Sequence, residues 1–456
     1  VSGSFRRGLL VLTVAGILVR LAFAALEPAT YPVGDETMWL TWGTRILPSP
    51  EVAFSPLRLH FIFHPPLYLY FLGSVFALFG TLGAVKVAQA VVGGLLPPAL
   101  GLLGGRALGE RPGLVAAAVA AFYPELVWFS VHFWSETLFT VLLWWGFERL
   151  VAADADASPR AAAAAGALLG LAVLTRETVL YFLPLAAVWL AWRRVGGRRR
   201  AAIVLSLAAL LVLPWTVRNA LVFHAFVPVA TAGPMNLWQG NTRLSRQEVY
   251  EEYWSVHGRI EKYRYSSRRA IESILERQPW WIFEKVRDEM PQFWAAHGQP
   301  IVHLERDAYG DVPRPVAWAA IAAILLPYLA VLVLFVVGLA VMPLNRGATL
   351  LLAFLVFYVL LHVAAHGYPR YRVPVLPVLF LGAGSGWAFL RSRPRTRPER
   401  GRLAAAAAVA FVLALSVGPS LVTWATRPWP PAWSPAHDDT GPEATAPGRT
   451  PDAEDR

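Results

Sequence analysis

Residues 31–50 read YPVGDETMWLTWGTRILPSP. They follow directly on the first apolar run, Leu9 to Ala25, and so place two adjacent carboxylates, Asp35 and Glu36, at the depth where a membrane surface should lie. A carboxylate beside a bilayer is costly, and it marks a functional site by default. Behind the pair, Trp39, Trp42 and Ile46 form one helical stripe. A plainer role stands beside the chemical one, with Asp35 as an N-cap and Glu36 as a first-turn carboxylate favoured by the helix dipole. The two roles are compatible, because a capped carboxylate is a well-oriented one, and Asp35 reads as the reacting group.

The composition sets the surroundings of that pair. Of 456 residues, 56% are hydrophobic and 16% charged, more apolar surface than one water-soluble core buries. The chain is therefore an all-α polytopic membrane protein. It has no cysteine, which removes disulfides, thiol nucleophiles and thiolate metal sites. The formal charge of +11 is carried almost entirely by arginines in short clusters between apolar runs, a pattern of membrane orientation and not of nucleic-acid binding. Arg6 and Arg7 precede the first run as in a signal peptide, but no small-residue cleavage site stands before Asp35, so the run is read as a first span.

Apolar runs of spanning length recur almost to the C-terminus, about eleven in all. They lie near Leu9 to Ala25, Val85 to Gly105, Leu114 to Val131, Leu138 to Ala152, Ala161 to Leu174 and Val179 to Trp192. Ala201 to Ala220, Val316 to Met342, Ala348 to Ala364, Val373 to Leu390 and Leu403 to Val422 follow. Pro65 to Val85 is also long enough to cross, and charge decides against it. If it lies along the interface, the arginine clusters at residues 6–7, 193–200 and 391–402 share one side, and only Arg45, Arg58, Lys86, Arg176, Arg370 and Arg372 occupy short segments on the other. If it crosses, most of those clusters face outward, against the cytoplasmic preference of Lys and Arg. Pro65 to Val85 is therefore laid in the outer leaflet, where Tyr68, Tyr70 and Phe71 suit the headgroup level.

The resulting organisation is a first span (1–26), an outer loop with juxtamembrane helices and the acid (27–84), a bundle (85–222), a helical extracytoplasmic segment (223–315), C-terminal spans (316–425) and a disordered tail (426–456). The N-terminus is cytoplasmic and the polar residues converge on the outer face. Among them His60 and His64, four apart, with Asp35 have metal-ligand chemistry, but no further helix-borne ligand is apparent, and interfacial histidines that only hydrogen-bond are the simpler reading. SETLF places Glu136, and LTRETVL places Arg176 and Glu177, at the outer ends of spans; snorkelling interfacial charges are the plain alternative. PWTVRN carries Arg218, and HGYPRYRVPVLP carries His366, Arg370, Tyr371 and Arg372. Arginines outside need a partner, and guanidinium forks match a phosphate at the membrane surface. No P-loop, HExxH or GxSxG is present, and the Gly101/Gly105 and Gly166/Gly170 spacings signal close helix packing.

Taken in order, GDE after the first span, HPPLY, RALGERPG, YPELVWFSVHFWSETLF, LTRE, PWTVRN, GPMNLWQGN and HGYPRYRVPVLP resemble the GT-C polytopic glycosyltransferases. The likeness is to the bacterial group related to protein O-mannosyltransferases and lipid A aminoarabinose transferases, and it runs from about Val11 to Leu390. The resemblance implies a GT-C fold and an inverting transferase. The donor is a polyprenyl-phosphate sugar and the acceptor is extracytoplasmic. Asp35 matches the family's catalytic aspartate and Glu36 its neighbour. Arg218, Arg370 and Tyr371, with His366 and Arg372 beside them, match the lipid-phosphate region, and His64, Glu136, Arg176, Asn236 and Asn241 complete the candidate substrate site. Gln239 to Asn241 departs from a more usual GNN pattern.

On this reading Asp35 takes a proton from the acceptor as it attacks the anomeric carbon. Arginines stabilise the growing charge on the departing phosphate. The partners are the donor, the acceptor and the bilayer, with no nucleic acid; no cofactor is required and no metal is indicated. The alternatives are a lipid or sugar transporter or flippase, which calls for paired broken spans and polar residues through both halves, and an oligosaccharide ligase or polymerase using the same donor.

Overall fold

The computed structural model describes residues 2–27, 32, 34–46, 62–192, 194–306, 308–392 and 398–426. His60 and the tail beyond Thr426 lie outside them. The described residues form helices and no strand. In chain order the first part comprises α1 (Gly3–Leu26), α2 (Asp35–Ile46), α3 (Leu67–Phe79), α4 (Leu82–Gly93), α5 (Leu96–Ala107), α6 (Glu110–Phe122), α7 (Pro124–Phe129), α8 (Glu136–Ala155) and α9 (Pro159–Thr175). A 3-10 turn at Glu177–Tyr181 leads to α10 (Leu183–Ala191) and α11 (Gly197–Phe223). Five helices fill the long polar segment: α12 (Ala232–Asn241), α13 (Arg246–Ser255), α14 (Arg259–Glu276), α15 (Trp281–Trp294) and α16 (Gln299–Glu305). The chain closes with α17 (Arg314–Val341), α18 (Arg346–Ala365), a 3-10 turn at Pro369–Val375, α19 (Leu376–Ser392) and α20 (Arg400–Thr426).

The apolar runs singled out above are mostly helical, and among the described residues seven stretches are long and apolar enough to cross a membrane: Gly3–Leu26, Leu82–Ala107, Gly197–Phe223, Arg314–Val341, Arg346–Ala365, Pro369–Ser392 and Arg400–Val422. The remaining four expected spans are shorter, broken or more polar. Leu114 to Val131 breaks at Tyr123, where the backbone turns extended (φ −66°, ψ 118°) before Pro124 starts α7. A proline is favoured at the first position of a helix, where its missing N–H has no intrahelical partner to lose. The break frees carbonyls at the end of α6, and Arg20 of α1 takes up those of Ala120 and Ala121, each at 2.9 Å. Without such a partner, buried helix-end carbonyls are costly.

The undecided stretch after Pro65 resolves into α3, 13 residues long, stopped by Gly80 in the left-handed region (φ 70°) and followed by α4, capped by Thr81. At ~1.5 Å per residue α3 falls short of the ~30 Å hydrocarbon core. It packs instead along α2, where Trp39 meets Tyr68 edge-on at 5.0 Å.

The small-residue spacings mark close approaches. On α9, a Cβ at Gly166 would stand 2.5 Å from the Val204 carbonyl and one at Gly170 3.0 Å from Ala208 Cα, so α9 and α11 touch backbone to backbone. The segment 223–315 has a core of its own in Met235, Trp238, Val249, Tyr253 and Ala270. Its α13 begins with a capping box between Ser245 and Glu248. From there α15 leans on α18 and α20, leaving Trp280, Ile282, Phe283 and Val286 exposed.

Charge divides the two ends of the bundle. At one end Asp154 takes a two-pronged contact from Arg346 (2.9 and 3.1 Å) and Arg106 bonds Asp156 at 2.9 Å. The opposite end collects the C-terminus of α1, the N-terminus of α8 and the C-termini of α9 and α18, and the polar residues noted in the sequence gather there.

Candidate active site

At that end a cavity of about 560 Å³ opens between α2, the turn before α3, α8, α9, α12 and the α18–α19 connection. Asp35, His64, Arg176, Asn236, His366, Arg370 and Tyr371 line it. Asp35 opens α2, directly after Gly34 in the left-handed conformation (φ 65°), which turns the chain into the helix. Its Oδ2 accepts a hydrogen bond from Arg370 at 3.0 Å, across 335 residues of sequence.

Arg370 is held from several sides. Its guanidinium lies over Trp134 (4.6 Å) and Tyr371 (5.3 Å), and its Nε stands 3.8 Å from Glu136 Oε1. The same Glu136 oxygen takes a 2.6 Å bond from Arg176, which also lies 5.9 Å from the Tyr371 ring. Asp35, Arg370, Glu136 and Arg176 thus form one alternating chain of charges, with Asp35 one-fifth exposed. Burial pushes the Asp35 carboxyl up, but the guanidinium cations of Arg370 and Arg176 outweigh it and hold the group below its ordinary value. His64, beside Trp39 at 5.2 Å, is pushed down by burial to about 4 and is neutral near pH 7.

His366 reaches the cavity through a lock between α15 and the α18–α19 connection. Glu289 of α15 accepts from the Gly367 N–H (2.6 Å) and from Lys285 (2.9 Å), and stands 3.4 Å from His366 Nδ1. Lys285 in turn donates to the carbonyls of Gly240 and Ala365.

Glu136 stands behind the cavity wall, joined to it through Arg176 and Arg370, and four further candidates stand elsewhere. Glu36 faces away from the cavity, with Oε1 accepting the Phe133 N–H at 3.0 Å and Oε2 3.2 Å from His303 Nε2. Arg218 packs over Trp215 (4.4 Å) and Phe223 (5.1 Å) and bonds Asn219, away from the cavity wall and from Asp35. The expected meeting of Asp35 with both Arg218 and Arg370 is therefore met by Arg370 alone. Arg372 is fully buried, donating to the carbonyls of Ala295 and His297 with Glu125 at 3.7 Å. Asn241 braces three helices, donating to Ala364 at 2.9 Å and accepting from Trp281 at 2.6 Å.

The cavity also takes residues that the sequence did not single out. His362 and Leu361 of α18 line it, as do Gly233, Tyr263 and Ser267 from the polar segment. Glu177, noted only beside Arg176, is among them, and a Cβ at Gly233 would lie 2.7 Å from its Oε1. Only the LTRE motif carried a signal for it.

Residues 63–218 match the family model described as dolichyl-phosphate-mannose-protein mannosyltransferase. Among solved structures, the crystal structure of the Archaeoglobus fulgidus oligosaccharyltransferase in the apo form is similar, with a TM-score of 0.51, 13% identity, and 92% of this chain and 55% of that one covered. The archaeal oligosaccharyltransferase AglB from Archaeoglobus fulgidus, in complex with an inhibitory peptide and a dolichol-phosphate, gives 0.50 and 12%, with 92% and 56% covered. No curated protein matches the sequence. The fold is thus the GT-C fold of polytopic membrane glycosyltransferases, as the order of the motifs implied. The chain spans a little over half the length of the archaeal enzyme.

Proposed function

We propose that this chain is an inverting glycosyltransferase that moves a sugar from a polyprenyl-phosphate-linked donor to an acceptor on the extracytoplasmic side, its N-terminus cytoplasmic. The observation that carries the reading is the Asp35–Arg370 contact of 3.0 Å inside one cavity, with Arg176 and Glu136 completing the charge chain. The partial match to a dolichyl-phosphate-mannose-dependent family and the dolichol-phosphate complex of the archaeal enzyme support a lipid-phosphate donor.

In the single displacement, an acceptor hydroxyl or amine forms its bond to the anomeric carbon as the bond from that carbon to the phosphate oxygen breaks. The bonding pair leaves with the phosphate, and the acceptor proton passes to Asp35. The donor phosphodiester carries about one negative charge and the departing polyprenyl phosphate about two, so Arg370 and Arg176 bind the transition state more strongly than the ground state. A low pKa makes Asp35 a weak base while Arg370 holds it. Donor binding removes that restraint, because the phosphate competes for Arg370 and leaves the carboxylate freer to take the proton.

His64, His366 and Tyr371 border the space left for the sugar, and α12 with Asn236 closes it from above the bundle. A panel of polyprenyl-phosphate sugars offered to the purified protein, with free polyprenyl phosphate as the readout, tests the proposal. Release of the lipid phosphate from at least one donor in the presence of acceptor is expected; transport of an intact donor across vesicles without release is the opposite result.

A further inference from the structure

Behind Asp35, on the side of α2 turned from the cavity, Glu36 meets two histidines from distant parts of the chain. His132 sits in the turn between α7 and α8, and His303 lies in α16. One ligand atom from each of the three lies within 4.8 Å of the others, and all three side chains are buried. Glu27, at the end of α1, extends the group. Its Oε1 stands 3.1 Å from His132 Nε2, and its Oε2 accepts from Lys86 at 3.0 Å. None of these residues lines the cavity.

The second nitrogen of each ring decides what the first can do. His132 Nδ1 faces the Trp128 carbonyl at 3.1 Å, and His303 Nδ1 faces the Gln299 carbonyl at 3.2 Å, nearer than the Gln299 side-chain amide at 3.5 Å. A carbonyl only accepts, so in the neutral rings each Nδ1 carries the proton and each Nε2 presents a lone pair. Both lone pairs then point at carboxylate oxygens: His303 Nε2 at Glu36 Oε2 (3.2 Å), and His132 Nε2 at Glu27 Oε1 (3.1 Å). Acceptor then faces acceptor among buried side chains. Neither His132 Nε2 nor Glu27 Oε1 has a hydrogen-bond partner.

A ring N–H held by a backbone carbonyl, with the other nitrogen turned to a shared centre, is how metal-bound histidines are oriented. We propose that Glu36, His132 and His303, with Glu27 as fourth ligand, hold a Zn²⁺ ion. Two imidazoles and two carboxylates without thiolate form a nitrogen–oxygen set that suits zinc, whereas Mg²⁺ and Ca²⁺ prefer all-oxygen shells. With bonds of ~2.0–2.2 Å, tetrahedral neighbours stand roughly 3.3–3.5 Å apart. The 3.1 and 3.2 Å pairs already sit near that edge length, and the edges from His132 to Glu36 and to His303 close from within 4.8 Å.

Four protein ligands leave no open position, so the ion is structural. It ties the end of α1, the first turn of α2, the His132 turn and α16 together, and fixes the back of the helix that carries Asp35. The proposal stands independently of the transferase reading, since it concerns a different face of α2 and a different readout.

The test uses the full-length protein, purified in detergent without a polyhistidine tag and without metal-affinity resin, and analysed by elemental mass spectrometry. About one Zn²⁺ per chain is expected to persist through dialysis and to leave on a strong chelator with a fall in Tm. Co²⁺ added back should give the intense visible absorption of a tetrahedral nitrogen–oxygen site. His132→Gln and His303→Gln should reduce bound zinc to background, whereas His64→Gln and His366→Gln should retain it. Wild-type protein that takes up neither Zn²⁺ nor Co²⁺ overturns the proposal. Zinc retained equally in His303→Gln overturns it as well. If the histidine variants fail to fold, the Co²⁺ spectrum of the wild-type protein decides alone.

Discussion

Arg370 sets the charge at the reacting carboxylate. Burial alone would lift the Asp35 pKa, and the Arg370 cation is the largest influence acting the other way, joined by Arg176. Taking that cation away leaves burial less opposed, so the Asp35 pKa must rise. In Arg370→Gln the acid limb of kcat/KM against pH is therefore expected to move to higher pH, while kcat falls by about 10²–10³-fold through the lost stabilisation of the phosphate. Paired pH profiles check this, and an acid limb that stays in place removes the coupling. At this scale depth was legible from the apolar runs, and direction was not. Arg218, Arg370 and Arg372 all lie at ends of apolar runs and look alike there. Arg370 and Arg372 stand two apart in a 3-10 helix with about three residues per turn, so they leave it on different faces. One enters the cavity and the other is buried against Ala295 and Glu125. His132 and His303 were invisible as a pair, because only tertiary packing brings them together.

Among the elements, α15 packs against the α18–α19 connection that carries His366 and Arg370, and Glu289 fastens the two. Burial works against the Glu289 carboxylate, but His366 and Lys285 prevail and bring its pKa from 4.5 down to about 2. A carboxylate with a depressed pKa adds stability that is present above its ordinary pKa and is lost as pH falls from about 4.5 towards about 2. Glu289→Gln is expected to lower Tm at neutral pH, with the difference from wild type shrinking below pH 4.5. Melting curves in detergent at both pH values measure it; a Tm difference that does not change with pH means the lock is not electrostatic. The helices themselves were readable because composition and run length are set by the bilayer. Their breaks were not. Tyr123 interrupts an apolar run that looks continuous, and the break is stable only because Arg20, a hundred residues earlier, satisfies the freed carbonyls. Likewise α3 was ambiguous by length, until Gly80 in the left-handed conformation ended it after 13 residues.

For the whole molecule, the separation of charge between the two ends was legible as arginine clusters alternating with apolar runs. It places Asp154, Arg346 and Arg106 at one end and the cavity at the other. What the bundle accomplishes is to bring a carboxylate from the beginning of the chain against a guanidinium from its last third, at the mouth of a space large enough for a sugar. Asp35→Asn probes that arrangement directly, because it keeps the shape of the side chain and removes the base. The measurement is the rate of polyprenyl phosphate release from the accepted donor by wild type and Asp35→Asn, each shown to be inserted and folded by its Tm. A loss of about 10²-fold or more at unchanged folding is the expected result; turnover by Asp35→Asn at the wild-type rate would contradict the account.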